Sequence, residues 1–329
     1  MATKRERIEA VLAGECADRL PVALWRHWPG DDQDAERLAE VTVAYHRRYD
    51  WDFAKVTPSS SYAAEDWGTR TAYTGTLPIG ERVYLERPVK APPDWLGIRP
   101  RDATQGALGR QLATVRRVRA ALGADVPILM TVFNPLSVAR HLVGDERFLA
   151  HLRLHPREVG GALQAIASTY CRFVGEVLRA GADGIFFSTA AAASSVMTEA
   201  EYRAVGAPYD LQVLEAAADG WLNVLHLHSP YPMLALAREY PVQAVNWDDR
   251  ASEPDLATGK RLVRKAVFGG LHQWNTLLQG TPADVEAEAR EAMAACEFRG
   301  MLLSAGCTYP PLAPAGNLLA ARRVVDAPA

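Results

Sequence analysis

The chain has 329 residues, 49% hydrophobic and 23% charged, with 36 Lys and Arg against 39 Asp and Glu and a net charge of −3. That balance leaves no basic surplus to neutralise a phosphate backbone, so nucleic acid is not an expected partner, and the apolar fraction excludes wholesale disorder. No apolar run approaches the roughly 18–20 residues needed to cross a bilayer, so no membrane is expected either.

The start, Met-Ala-Thr-Lys-Arg-Glu-Arg, has no apolar stretch behind its charges and does not read as a signal peptide. Thr3-Lys4-Arg5-Glu6 reads as a capping box opening a helix that carries Ile8, Val11 and Leu12 and stops at Gly14. Short β-rich runs then alternate with helix-like runs. The first β run is 20–28 (LPVALWRHW), followed by an amphipathic stretch over 35–49 and a second β run at 52–57 (DFAKVT). From 66 to 93 the alternation breaks: WGTRTAYTG, GERVYLERP and a Pro-rich stretch read as an antiparallel hairpin inserted in the loop after the second strand. The third β run is 127–133 (PILMTVF), and the fourth, 184–188 (GIFFS), follows a helical stretch at 160–180. A helical stretch at 199–218 leads to 222–228 (LNVLHLH), 242–248 (VQAVNWD) and 266–271 (AVFGGL). The last helix of this series, 282–296, precedes 301–307 (MLLSAGC).

Eight strands alternating with helices argue for a single α/β domain over residues 1–329, a closed (β/α)8 TIM barrel. A doubly wound open sheet usually shows a glycine-rich ligand loop after its first strand. Here the first run enters Trp25-Arg26-His27-Trp28-Pro29-Gly30, and neither GxGxxG nor the phosphate-loop pattern occurs. Four cysteines (Cys16, Cys171, Cys296, Cys307) without a CxxC pair make no disulfide framework and fit a reducing cytoplasm.

In such a barrel the chemistry sits at the C-terminal ends of the strands. His226 and His228 are two apart, so both imidazoles face one side of a strand while Leu225 and Leu227 face the helix layer. Cys307 ends another strand at the same mouth. Two imidazoles, a thiolate and one open position are the pattern of a catalytic zinc. Asp248 is a candidate fourth ligand or an orienting group behind a histidine. Cys16, Cys171 and Cys296 lie in or beside helical stretches and read as structural. Arg26 offers a bidentate fork for a carboxylate, with a rim salt bridge as the alternative. Trp25, Trp28 and Trp67 suit a pocket wall or the core, and Ser59-Ser60-Ser61-Tyr62 offers hydroxyls without a GxSxG context.

These strand ends resemble the uroporphyrinogen decarboxylase superfamily of barrels, which includes corrinoid-dependent zinc methyltransferases and, more distantly, cobalamin-independent methionine synthase. The resemblance rests on Arg19-Leu20-Pro21-Val22, Ala64-Glu65-Asp66-Trp67-Gly68 and Gly181-Ala182-Asp183-Gly184-Ile185. It continues through Phe268-Gly269-Gly270 and Gly306-Cys307-Thr308 to Pro314 and Asn317. Decarboxylases of the family carry Arg-Gln-Ala-Gly-Arg after the first strand and an Asp ending the second. Here Arg26 matches the first Arg, Asp31 follows Gly30 instead of the second, and the second strand ends Lys55-Val56-Thr57-Pro58. Cationic clamps for several tetrapyrrole carboxylates are largely absent on this reading, which argues against uroporphyrinogen decarboxylation itself. The zinc methyltransferases are closer: their His-x-Cys and distal Cys align with His226, His228 and Cys307, with His228 replacing a Cys.

The resemblance therefore implies a methyltransferase holding Zn2+ through His226, His228 and Cys307. Its donor would be a methyl-corrinoid protein or a folate-like molecule, and its acceptor a small molecule with a thiol or oxygen nucleophile. A homodimer is implied by the family. The alternative is a metal-free carboxy-lyase built around Arg26, Asp248 and His272. A third reading is a barrel that only binds a small ligand.

Overall fold

A computed structural model describes residues 2–75, 80 and 82–326. The helix Lys4–Leu12 opens on the expected capping box: Thr3 Oγ1 accepts from the Glu6 N–H at 3.1 Å, and the Glu6 carboxylate accepts from the Thr3 N–H at 2.8 Å. In chain order the strands are β1 (Ala54–Val56), β2 (Arg70–Tyr73), β3 (Arg82–Glu86), β4 (Ile128–Phe133) and β5 (Gly184–Thr189). They continue as β6 (Val224–Leu227), β7 (Ala244–Trp247), β8 (Ala266–Leu271) and β9 (Met301–Ala305). Seven of them form one parallel sheet in the order β1-β4-β5-β6-β7-β8-β9.

The sheet is curled. In sheet order β1 and β8 are five spacings apart, about 24 Å on a flat sheet, yet Phe53 beside β1 lies 5.9 Å from Phe268 on β8, centroid to centroid. Between β9 and β1 runs the segment expected to be the first strand. It makes one parallel bridge, Val22 to Leu303, and no longer ladder. The cause is local. Pro21 has no N–H, and the Val22 N–H goes to Asp52 Oδ2 at 2.8 Å instead of to a neighbouring strand. What pairing remains is Ala23 N to Leu303 O at 3.1 Å, Leu303 N to Pro21 O at 2.9 Å and Asp52 N to Val22 O at 2.9 Å.

Helices fill the crossovers, as parallel strands require. The expected helix at 35–49 is Ala35–Tyr49, started by Asp34 accepting from the Glu36 and Arg37 N–H groups at 2.9 Å. The one expected over 199–218 divides at Gly206 into Glu199–Val205 and Ala207–Glu215. Pro208 enforces the break, since its ring cannot follow the preceding turn of a continuous helix. Beyond β1, β2 and β3 pair antiparallel, Ala72 opposite Val83 and Tyr73 opposite Arg82. They lie where the hairpin was expected, and residues 76–79 and 81 between them are outside the described residues.

The N-terminal end of the sheet is tied by carboxylates. Fully buried Asp52 accepts from Arg7 at 2.8 Å and Arg19 at 2.7 Å, and Asp183 accepts from the Ile128 N–H at 2.8 Å and Trp221 Nε1 at 3.0 Å. Polar groups at that end serve stability, which leaves the opposite end for chemistry. Among the described residues, no helix is long and apolar enough to cross a membrane.

Candidate metal centre and its cavity

His226 sits on β6 in register with Ser188 on β5 and Asn246 on β7, while Leu225 and Leu227 are buried on the alternate face. Its Nδ1 lies 2.6 Å from Asn246 Oδ1. The Asn246 amide donates to Phe268 O at 2.8 Å and Ala305 O at 3.1 Å. An amide whose NH2 is committed to two carbonyls offers only its oxygen to the ring. The hydrogen-bond network therefore assigns the proton to Nδ1 and a lone pair to Nε2.

That lone pair faces two other donors. His226 Nε2 is 3.3 Å from His228 Nδ1 and 3.6 Å from Cys307 Sγ, and His228 Nδ1 is 3.4 Å from Cys307 Sγ. The three ligand atoms thus lie within 4.8 Å of one another. Around a tetrahedral zinc with bonds of about 2.05 Å to nitrogen and about 2.3 Å to sulfur, ligand separations are about 3.3 Å for N–N and about 3.6 Å for N–S. The donor triangle fits that ion without rearrangement. His226 is buried, Cys307 half-buried and His228 exposed, so one side of the triangle is open.

Electrostatics point the same way. Burial alone would push the Cys307 thiol up, but the charges and hydrogen bonds of His228 and His226 hold it well below its usual value. The His228 imidazole is raised in return, chiefly by the Cys307 charge. The thiolate is the state a divalent cation needs, and the proton that its charge favours on His228 leaves when a cation binds.

The triangle forms part of the lining of a cavity of about 500 Å3. Trp25, Ser59, Ser60 and Ser61, read from the sequence as candidates, are in that lining. Trp28 and Trp67 are not; the Trp67 ring stacks on Tyr170 at 6.4 Å. Nor do Arg26, Asp248 and His272 line it. The Arg26 guanidinium lies 4.3 Å from the Trp28 ring and donates to Pro311 O at 3.0 Å. Asp248 accepts from Gln273 Nε2 at 2.6 Å and the Ala251 N–H at 3.2 Å, so the group that touches His226 from behind is Asn246. His272 Nδ1 accepts two N–H groups, of Trp274 and Asn275, each at 3.1 Å.

The cavity also holds cations that the sequence reading passed over: Lys55 from β1, Arg82 from β3, Arg87 just after it, and Arg140 from the helix Pro135–Val143. Cationic groups are therefore not scarce here; they come from the hairpin and a neighbouring helix instead of from the loop after the first strand. Burial pushes Lys55 down to about 7. His27 is down to about 4, by burial and then by Lys55. The readable trace was Lys55 itself, a charge within an apolar strand run.

A family model described as Uroporphyrinogen decarboxylase (URO-D) matches residues 3–327. The methylcobamide:CoM methyltransferase MtbA of Methanosarcina mazei is 25% identical over 333 residues, covering 96% of this chain and 95% of that protein. The methylcobamide:CoM methyltransferase MtaA of Methanosarcina barkeri is 22% identical, covering 97% and 96%. Among solved structures, a methyltransferase from Methanosarcina mazei superposes with a TM-score of 0.84 at 20% identity, over 99% of both chains. A B12-independent methionine synthase from Shewanella sp. W3-18-1 gives 0.64 at 13% identity, over 94% of this chain and 97% of that one. Both structures share the fold.

Proposed function

The chain belongs to the uroporphyrinogen decarboxylase family, and from that membership we propose that it is a zinc-dependent methyltransferase whose metal is held by His226 Nε2, His228 Nδ1 and Cys307 Sγ. The names of the two Methanosarcina relatives give a methylcobamide as donor and CoM as acceptor. The corresponding reading here is a methyl-corrinoid protein as donor and a small-molecule thiol or alcohol as acceptor. We read the architecture as one (β/α)8 barrel over 1–329, its eighth stave the irregular segment at Val22 and its hairpin an insertion, acting as a cytoplasmic homodimer.

The observation that carries this reading is the donor triangle, whose separations match a tetrahedral zinc and whose open side faces the cavity. Bound there, zinc supplies Lewis acidity, lowering the pKa of a substrate thiol or hydroxyl so that it reacts as an anion. The chain's own groups do the rest. Asn246 fixes the His226 ring and tautomer, a support that metal sites depend on. The Cys307 charge offsets part of the cation's. Trp25, Phe133 and Phe186 in the cavity wall limit water around the nucleophile. With two neutral imidazoles and a single thiolate, the site keeps more positive charge than a His, Cys, Cys set would. Such a site favours forming the substrate anion and lessens its nucleophilicity, which extends the candidate acceptors to alcohols.

A metal-free carboxy-lyase needs Arg26, Asp248 and His272 at one substrate, and the cavity is walled by other residues. The test is demethylation of free methylcobalamin, followed by its visible spectrum, with a panel of thiols and alcohols and with zinc added or chelated. Zinc-dependent loss of the methyl–cobalt spectrum with formation of a methyl thioether or ether is the expected result. No turnover by zinc-loaded protein, together with acceptor-independent carbon dioxide release from a carboxylate, overturns the proposal.

A further inference from the structure

The proposed methyl transfer leaves one buried amine without a task. Lys55 is 8% exposed, and its Nζ lies 3.3 Å from Thr57 Oγ1 and over the Phe186 and Trp25 rings, 4.5 and 5.7 Å from their centres. All four residues line the cavity. The other four lysines of the chain are placed differently. Lys4 donates to Asp50 at 2.5 Å and Trp51 O at 2.6 Å, and Lys265 to Tyr240 O at 2.7 Å and Val242 O at 2.9 Å. Lys260 donates to Cys296 O at 2.9 Å and to Arg299 O, and Lys90 is exposed.

Lys55 is thus buried with neither a carboxylate nor a carbonyl to hold its proton. Asp145, in the cavity lining, pairs with Arg140 at 2.5 Å, and buried Asp32 lies 3.8 Å from Arg82. Two titratable groups on other strands share its field: Cys307, whose charge favours the Lys55 proton, and His27, whose own proton Lys55 disfavours. The Thr57 hydroxyl donates to Lys55 O at 3.4 Å, which leaves its oxygen for Nζ. One hydroxyl oxygen and two aromatic faces return less than an ammonium loses on burial. Burial accordingly outweighs Cys307 and brings the amine to about 7. At neutral pH a large share of it carries a free lone pair, beside open space.

We propose that Lys55 is a second reactive centre, an amine that condenses with an aldehyde or ketone bearing a flat apolar group. Nζ adds to the carbonyl carbon, and the two amine protons leave with the carbonyl oxygen as water. A C=N bond replaces the C=O bond, and nothing is oxidised or reduced. Thr57 Oγ1, at 3.3 Å, is placed to pass a proton from the nitrogen to the departing oxygen. A lysine desolvated among apolar side chains is the form suited to this chemistry. The ligand class follows from the walls. Phe186 and Trp25 flank the nitrogen and Phe133 lines the same cavity, whose volume of about 500 Å3 admits a ring with its carbonyl. The step needs no metal, so it does not rest on the transferase reading.

The test is reductive trapping. Chelator-treated protein at pH 7 is given benzaldehyde and sodium cyanoborohydride, and the benzylated lysines are located by peptide mass mapping. Lys55 is benzylated about tenfold or more faster than exposed Lys90, because a far larger share of it is neutral. The ratio of the two rates falls from pH 7 to pH 10 as Lys90 gains its own neutral form. With propanal, which has no ring, the ratio at pH 7 is smaller. Lys55→Met, folded by circular dichroism, loses the fast adduct and keeps the slow one at Lys90. A ratio near one at pH 7, a ratio constant to pH 10, or a fast adduct that persists in Lys55→Met overturns the reactive amine. A larger ratio with propanal overturns the ligand class. Trapping at Lys55 in protein that takes up no zinc leaves this site and removes the transferase. Protein that takes up zinc and demethylates methylcobalamin, yet shows no fast trapping, leaves the transferase and removes this site.

Discussion

Replacing Lys55 by Met should stabilise the protein, because it removes a buried ammonium. Burial lowers this ammonium from 10.5 to about 7, a gap worth about 4–5 kcal/mol against the charged form below pH 7. Water entering the cavity relieves part of that, so a gain of about 2 kcal/mol at pH 6 is expected, with the Met side chain packing on Phe186 and Trp25. The pH dependence separates this cause from better packing alone. Below pH 7 the folded and unfolded chains both hold the proton, and the whole cost is present. Between 7 and 10.5 only the unfolded chain holds it, so wild-type stability rises with pH; above 10.5 the cost is gone. The advantage of Lys55→Met should therefore be largest at pH 6 and shrink steadily towards pH 10. Urea denaturation in anion-poor buffer, followed by tryptophan fluorescence, measures it. A variant less stable at pH 6, or an advantage constant from pH 6 to 10, refutes the reasoning.

Asn246→Ala removes the group that fixes His226 without touching a ligand, and zinc affinity should fall about 10–100-fold in a competition titration; an unchanged affinity denies Asn246 its orienting role. Asp210 is fully buried among Tyr202, Tyr240 and Asn134, and burial raises it from 3.8 to about 6 despite their hydrogen bonds. The folded chain therefore keeps this proton when the unfolded chain has lost it, and wild-type stability relative to Asp210→Asn should fall by about 2–3 kcal/mol between pH 4 and 6. A difference that stays flat or rises over that window contradicts the assignment. Asp183→Ala strips partners from Arg119, Trp221 and the Ile128 N–H at once. It should cost about 3 kcal/mol in urea while leaving zinc content unchanged, and loss of metal without loss of stability would move Asp183 from the frame to the site.

The strands were legible wherever an apolar run was bounded by turn residues and its side chains followed a period of two. Residues 266–271 were read with both ends correct, and His226 was set against Leu225 and Leu227 as β6 places them, while His228 lies one residue beyond the strand. The segment at 20–28 was read as a full strand because its composition is β-rich. Its ladder is cut short by Pro21 and by the Asp52 carboxylate capturing the Val22 N–H, a tertiary contact invisible in a run of apolar letters. The helix at 199–218 failed for a local and readable reason, Pro208. The candidate metal triad was legible as three residue types at strand ends. The orienting group behind it was sought at Asp248, whose charge looked suited to the task; the register puts Asn246 opposite His226 instead. Arg82, Arg87 and Arg140 were missed because hairpin and helix charges look solvated in sequence, and only their three-dimensional arrangement turns them inward.

Zinc content is the most direct measure of the central claim. Protein purified, stripped with chelator, reloaded with zinc and desalted should carry close to one zinc per chain by plasma emission spectrometry. Cys307→Ala and His226→Ala, folded by circular dichroism, should carry almost none. A wild type that retains no zinc after reloading, or single variants that retain as much as it does, would show that these side chains do not share an ion.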